Sequence, residues 1–238
     1  MADNLKINRK EFKKFLDSLS KINDSAILEV VDDNIHALSS SEDRSMFLWS
    51  SIDGDFGFSR NLNIQSLQKL SKSLELVSSD DVTLIVNSNS LEYRGGSIKF
   101  KCHLYEDGVL PRPKLTLDKI KSFNYDYSFN LDKEFLDSVL KKASIFKDVN
   151  KLYISSENDH LTWGLMDKTQ TNTDSIVMDG CDIDFDMEEF ILNLDNVRLW
   201  NLNPENPALF RGNKMGVGNI KVEFGTATLN YVVSSLVK

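Results

Sequence analysis

The chain has 238 residues, 28 of them basic and 36 acidic, for a formal net charge of −8. That balance excludes a surface that coats nucleic acid throughout, though not a local basic patch, and 41% hydrophobic content excludes a disordered polymer. No run approaches the ~18 apolar residues of a membrane span, and "MADNLKINRK" lacks an export signal's apolar core, so a cytoplasmic protein away from any membrane is expected.

The first element is a helix over Asn8 to Ile22, with Asn8 as N-cap and Glu11 completing a capping-box-like start. On a wheel of about 100° per residue, Phe12, Phe15, Leu16 and Leu19 form the buried stripe. Lys10, Lys14 and Lys21 fall nearly opposite, with Lys13 nearby and Asp17 the one acid among them. A solvated face explains such lysines without any ligand. Two alternating strands joined at Asp32-Asp33-Asn34 follow in "AILEVVDDNIHAL", then a third in "SMFLWSSI". A second helix is predicted over Asn63 to Leu76, with Ile64, Leu67, Leu70 and Leu74 inward and Gln65, Lys69 and Lys72 outward. Three strands come next, "VTLIVNS", "SLEYRG" and "SIKFKCHLY", with a hairpin at Arg94-Gly95-Gly96.

The stretch "EDGVLPRPKLTLDKI" carries Pro111 and Pro113 and little periodicity, which reads as a semi-stiff connector. It divides the chain into residues 1–108, a connector over 109–122, and residues 123–238.

The second part repeats the first. Lys10-Glu11-Phe12 recurs as Lys133-Glu134-Phe135, a shift of 123 positions, within a helix over Asn130 to Phe146. Strands "KLYISSENDHLTWGL" and "DSIVMDG" follow, with a turn at Glu157-Asn158-Asp159, and His160 sits past that turn as His36 does past its own. A shorter helix around "NLDNVRLWNL" packs Leu194, Val197 and Trp200 and turns Arg198 outward. Strands "PALFRGN", "GNIKVEFG" and "TLNYVVSSL" close the chain, with a turn at Phe224-Gly225-Thr226. The shared order of elements argues for two copies of one unit, in an α+β fold with two helices on a β-sheet in each.

Catalytic and metal motifs are weak. In "DGCDIDFDMEE" Met187 stands where a calcium loop starting at Asp182 needs glycine, and acids alternate with Cys181, Ile183, Phe185 and Met187 as on a strand with one buried face. "MGVGNIK" places Lys221 where a dinucleotide fingerprint needs its last glycine. The histidines are scattered, Trp49, Trp163 and Trp200 read as core, and Cys102 and Cys181 read as reduced core thiols. No cofactor, metal or catalytic residue is expected.

The element order, with "EFILNLDNVRLW" and "IKVEFGTATLNYVVSSL" the most specific stretches, resembles the sliding clamps of DNA replication. The resemblance is nearest to the T-even-type bacteriophage processivity clamp, with proliferating cell nuclear antigen more distant. It implies a DNA-clamp fold, three chains closing a six-domain ring, and a non-enzymatic role tethering a DNA polymerase. Its partners would be double-stranded DNA, the polymerase, a clamp loader and two further copies in a homotrimer. The DNA-facing residues would be Lys10, Lys13, Lys14, Lys21, Lys69, Lys72, Lys141 and Arg198, holding phosphates without reading sequence. A partner peptide would dock beneath the connector at Leu110, Leu115 and Leu117, with Leu38, Val232 and Leu236 completing the wall. The subunit interface would join Ser97–Tyr105 of one copy to Asp174–Gly180 of the next, through Lys99, Cys102, Leu104, Ile176, Val177 and Met178. The alternative is a β-rich interaction scaffold that never meets nucleic acid.

Overall fold

A computed structural model describes residues 3–31, 33–113, 115–146, 149–166, 168 and 174–236, with Leu117 described in its backbone alone. Asp32, in the first predicted strand junction, lies outside them. The chain divides into two compact units, Met1–Lys121 with Glu223–Asn230, and Ser122–Val222 with Tyr231–Lys238.

The first repeat runs β1 (Asp3–Asn8), α1 (Arg9–Ile22), β2 (Ala26–Val31), β3 (Asn34–Ser40) and β4 (Met46–Asp53). It continues with β5 (Arg60–Ile64), α2 (Leu67–Glu75), β6 (Asp81–Val86), β7 (Ser90–Gly95) and β8 (Ile98–His103). A short α3 (Leu117–Lys121) follows in the connector. The second repeat runs β9 (Tyr127–Leu131), α4 (Lys133–Ala143), β10 (Lys151–Glu157), β11 (His160–Leu165) and β12 (Ile176–Asp182). It ends with β13 (Phe190–Asn193), α5 (Leu194–Leu199), β14 (Ala208–Gly212), β15 (Val217–Phe224) and β16 (Ala227–Ser234). The two successions match element for element. So do their strand orders: β5-β2-β3-β4 and β1-β6-β7-β8 in the first, β13-β10-β11-β12 and β9-β14-β15-β16 in the second.

In unit 1 the predicted stripe of α1 is buried, with Phe12, Phe15, Leu16 and Leu19 at 0% exposure. At about 1.5–3 kcal/mol for each fully buried apolar side chain, against at most ~1 kcal/mol for an exposed ion pair, the stripe and not the lysines fixes this helix. The Asn8 side chain accepts from the Lys10 and Glu11 amides at 3.1 and 3.2 Å, as an N-cap should. Glu11 does not complete the box. Its carboxylate accepts instead from the Thr226 amide and hydroxyl, at 3.2 and 2.9 Å. Gly225, at φ 54°, permits this approach, since a Cβ there would collide with the carboxylate. Helices α1 and α2 pack on each other, and Asp17 of α1 accepts from Ser71 of α2 at 2.5 Å.

Helix α2 starts later than periodicity alone predicts. Asn63 and Ile64 belong to β5 and pair with Ile27 and Ala26 of β2, so Ile64 is buried as a strand residue. Ser66 then caps the helix, accepting from the Lys69 amide at 3.1 Å, and Asp24 fixes the corner by accepting from Ser66 and the Gln68 amide at 2.7 and 2.8 Å. Likewise Asn130 and Leu131 belong to β9, paired with β14, and α4 starts only at Lys133.

The aliphatic core of unit 2 holds an aromatic cluster. Phe129 stacks on Phe210 at 4.7 Å between centroids and meets Trp163 edge-on at 6.0 Å, while Phe135 of α4 meets Trp163 at 5.2 Å. The predicted turn at Asn158-Asp159 has both residues at positive φ, 51° and 61°, the backbone of a tight hairpin between β10 and β11. The acidic stretch departs from expectation. β12 ends at Asp182, and only the alternation of burial continues through Ile183, Phe185 and Met187. Cys181 is exposed, against the prediction of two core thiols, whereas Cys102 is buried.

Candidate functional site

The predicted cationic residues occupy helix surfaces of both units. On α1, Lys10 is exposed and paired with Asp80 at 3.1 Å, and Arg9 reaches the same carboxylate at 3.2 Å. Hydrogen bonds from Lys10 and then Arg9 hold the Asp80 carboxyl below its usual range. Lys13 lies between Asp17 and Glu75 at 2.7 and 2.9 Å, and the Asp17 bond foremost raises its pKa. Lys14 sits over the Phe224 ring, 4.2 Å from its centroid. Lys21 is exposed in the last turn. On α2, Lys69 and Lys72 are exposed and line a shallow recess of about 480 Å³ with Ser66, Gln68, Ser73 and Leu76.

In unit 2, Lys141 is exposed, and Arg198 pairs with Asp195 of its own helix at 2.6 Å. Lys133 pairs with Asp137, and Lys142 donates to Ser138 at 2.9 Å. The partners Asp80, Glu75 and Phe224 lie far from the lysines in sequence. No helix wheel brings them in.

A second cavity, of about 580 Å³, lies under the connector in unit 1. Its walls include Ala26, Ile27, Leu38, Leu110 and Leu115, so three of the predicted pocket residues converge. Arg112 of the connector pairs with Glu29 of β2 at 2.8 Å across the same wall. His36 and Trp49 also line the cavity, their rings stacked at 6.3 Å and 22°, with the Lys121 ammonium 5.5 Å from the indole. Burial foremost lowers the His36 pKa, with Lys121 adding to it and Glu29, Asp53 and Asp33 opposing. His36 Nδ1 and Trp49 Nε1 are buried without a hydrogen-bond partner among the described residues.

Sequence reading missed both rings. Trp49 was expected in the core and is half-buried in this wall, while Trp163 and Trp200 are core residues as expected. The available signal was the register of β3 and β4, which sends His36 and Trp49 to the face opposite Ile35, Ala37 and Leu48. Val232 and Leu236 do not line this cavity: Val232 is buried in β16, and the Leu236 amide donates to the Ile191 carbonyl at 2.9 Å. The side chain of Leu117 lies outside the described residues.

Both predicted joining strands are sheet edges. β8 ends one sheet of unit 1 and β12 ends one sheet of unit 2, each without a neighbour on its outer side among the described residues. On β8, Lys99, Lys101 and His103 are exposed, whereas Cys102 is buried, as is Leu104 just beyond the strand. On β12, Val177, Asp179 and Asp182 are exposed, Ile176 is half-buried and Met178 is buried. The exposed residues can meet another chain directly. Cys102, Leu104 and Met178 fill their own unit and can act only by shaping the edge.

No protein-family model matches the chain, and no curated protein matches it. Solved structures do. PCNA of A. fulgidus, in a structure with the C-terminal region of FEN-1 bound, superposes with a TM-score of 0.79 at 12% identity, over 100% of this chain and 99% of that one. PCNA of Thermococcus kodakaraensis gives 0.74 at 14% identity, over 98% and 99%. The chain has the sliding-clamp fold. The beta subunit of DNA polymerase III from Thermotoga maritima gives 0.71 at 12% identity, with 99% of this chain covering 65% of that longer clamp. The two matched repeats of this chain thus correspond to part of a bacterial clamp and to the full length of a PCNA chain.

Proposed function

We propose that the chain is a polymerase processivity clamp that closes as a homotrimer around duplex DNA. The observation that carries this reading is the likeness to clamps of separate origins over the whole chain. The exposed edges support it further. β8 offers Lys99, Lys101 and His103, β12 offers Asp179 and Asp182, and unlike charges favour β8 of one copy meeting β12 of the next. Cationic helix surfaces on an acidic chain suit loose, sequence-blind contact with phosphates, which permits sliding. The cavity under the connector suits an apolar partner segment such as a polymerase tail, with Leu38, Leu110 and Leu115 as its wall and Trp49 as an anchor. The role needs no catalytic group. A clamp loader, a cytoplasmic setting and kinship with T-even-type phage clamps complete the proposal.

Sedimentation equilibrium with and without a labelled duplex of about 30 bp tests it, at a length that spans the phosphates of a few helical turns. The clamp reading expects trimers, and one duplex per three chains at low salt. A monomer that ignores duplex at every salt concentration supports the interaction scaffold instead.

A further inference from the structure

The hairpin of β14 and β15 in unit 2 stands apart in charge. Residues 208–222 hold Arg211, Lys214 and Lys221 and no acid, on a chain of net charge −8. Phe210 stacks on Phe129 toward the core, the side on which Phe135 of α4 meets Trp163. Arg211, the next residue of the strand, projects from the opposite face of the sheet, in register with Ser128 of β9 and Asn219 of β15. Its guanidinium lies 4.8 Å from the centroid of the Tyr125 ring, and Nη2 donates to Asn219 Oδ1 at 2.7 Å. Asn219 is 1% exposed, so this acceptor is fixed. Arg211 itself is half-buried, and its Nε is buried without a hydrogen-bond partner among the described residues.

What Arg211 lacks is a counter-ion. Arg9, Arg94, Arg112 and Arg198 each pair with a carboxylate, whereas Arg211 has none at ion-pair distance among the described residues. Asp126, the one acid of residues 124–131, accepts instead from the Lys214 amide at 2.8 Å. A half-buried cation held among neutral groups gains more than an exposed one from an incoming carboxylate. It is already stripped of part of its water, and its planar fork is already oriented. At the hairpin tip, Met215 is 80% exposed. Arginine, tyrosine and methionine are residue types that protein interfaces concentrate. We propose that this face of unit 2 docks an acidic segment of a partner protein, with a carboxylate on Arg211 and an apolar side chain against Met215. Facing away from α4, it is not a second hold on the duplex of the clamp reading. It needs no ring closure, so the two readings stand or fall separately.

The test is fluorescence anisotropy of a labelled hexapeptide of alternating glutamate and leucine, titrated with full-length protein in about 50 mM NaCl. Saturable binding is expected for this peptide and not for its glutamine–leucine counterpart. Arg211→Gln should weaken binding about tenfold or more, as loss of an interface anchor does. Arg211→Lys keeps the charge but not the planar stack and should weaken binding as well. Met215→Ser, at the exposed tip, should weaken it by a smaller factor, and Lys141→Ala on α4 should leave it unchanged. Where Arg211→Gln lowers the melting temperature, Met215→Ser decides, and parent affinity in that variant overturns the proposal. Parent affinity in a well-folded Arg211→Gln overturns it too, as does equal binding of the two peptides or equal weakening by Lys141→Ala. Displacement of the peptide by a duplex of about 30 bp would assign the face to phosphate and overturn the choice of a protein acid. A loss of self-association on sedimentation of Arg211→Gln would seat a second copy there, and that outcome also overturns it.

Discussion

His36 lines the connector cavity. Its imidazole is half-buried against Trp49, and burial foremost, then Lys121, lowers its pKa despite Glu29, Asp53 and Asp33 nearby. A base with a depressed folded pKa binds its proton less readily in the native state than in the unfolded chain. Its contribution to stability is therefore complete above the unfolded value of about 6.5 and is lost as pH falls toward the folded value. Thermal melts of the parent and of His36→Gln should show the parent losing stability more steeply between about pH 7 and pH 5. Parallel curves would show that His36 keeps its ordinary affinity for protons. At this scale the sequence was informative only about neighbours in the chain. Asn8 was legible as a cap because its partners are the next two residues but one, while Glu11 binds Thr226, and no spacing rule reaches that far. The same limit hid the pairing of Lys10 with Asp80 and the turn of Trp49 out of the core.

Among elements, long periodic ones were legible and short ones flanking a helix were not. α1 was readable because four large side chains recur at helical spacing, and their burial outweighs everything else in the segment. β1, β5 and β9 escaped because each is short and runs directly or nearly into a helix, whose longer pattern absorbed its last residues, Asn8, Asn63 with Ile64, and Asn130 with Leu131. β8 and β12 were correctly singled out as edges. Their exposed charges yield a test of how copies join. Lys99→Glu with Lys101→Glu places acid against acid, and at a few tenths to ~1 kcal/mol per exposed pair should weaken trimer formation roughly tenfold or more. Adding Asp179→Lys with Asp182→Lys restores unlike charge and should recover assembly, as read by sedimentation velocity across a dilution series. Failure of the second pair to rescue the first would mean that β8 and β12 do not face each other.

For the whole molecule, fold follows from duplication. Two successions of the same ten elements give two units with the same strand orders, although the second core holds a Phe–Trp cluster that the first lacks. Topology thus tolerates a changed core as long as each strand keeps its inward face. Charge has diverged further than topology, since helix surfaces constrain packing least: α1 carries five basic and two acidic side chains, and α4 three and two. In the proposed clamp, copies of this chain close around a hole wide enough for a duplex. Electron-microscopic imaging of the purified protein at concentrations that favour assembly tests it most directly. Closed rings of three chains, with six similar repeats around a central opening, are the expected result. Compact monomers or dimers without an opening, under conditions where the protein is folded and concentrated, would contradict it.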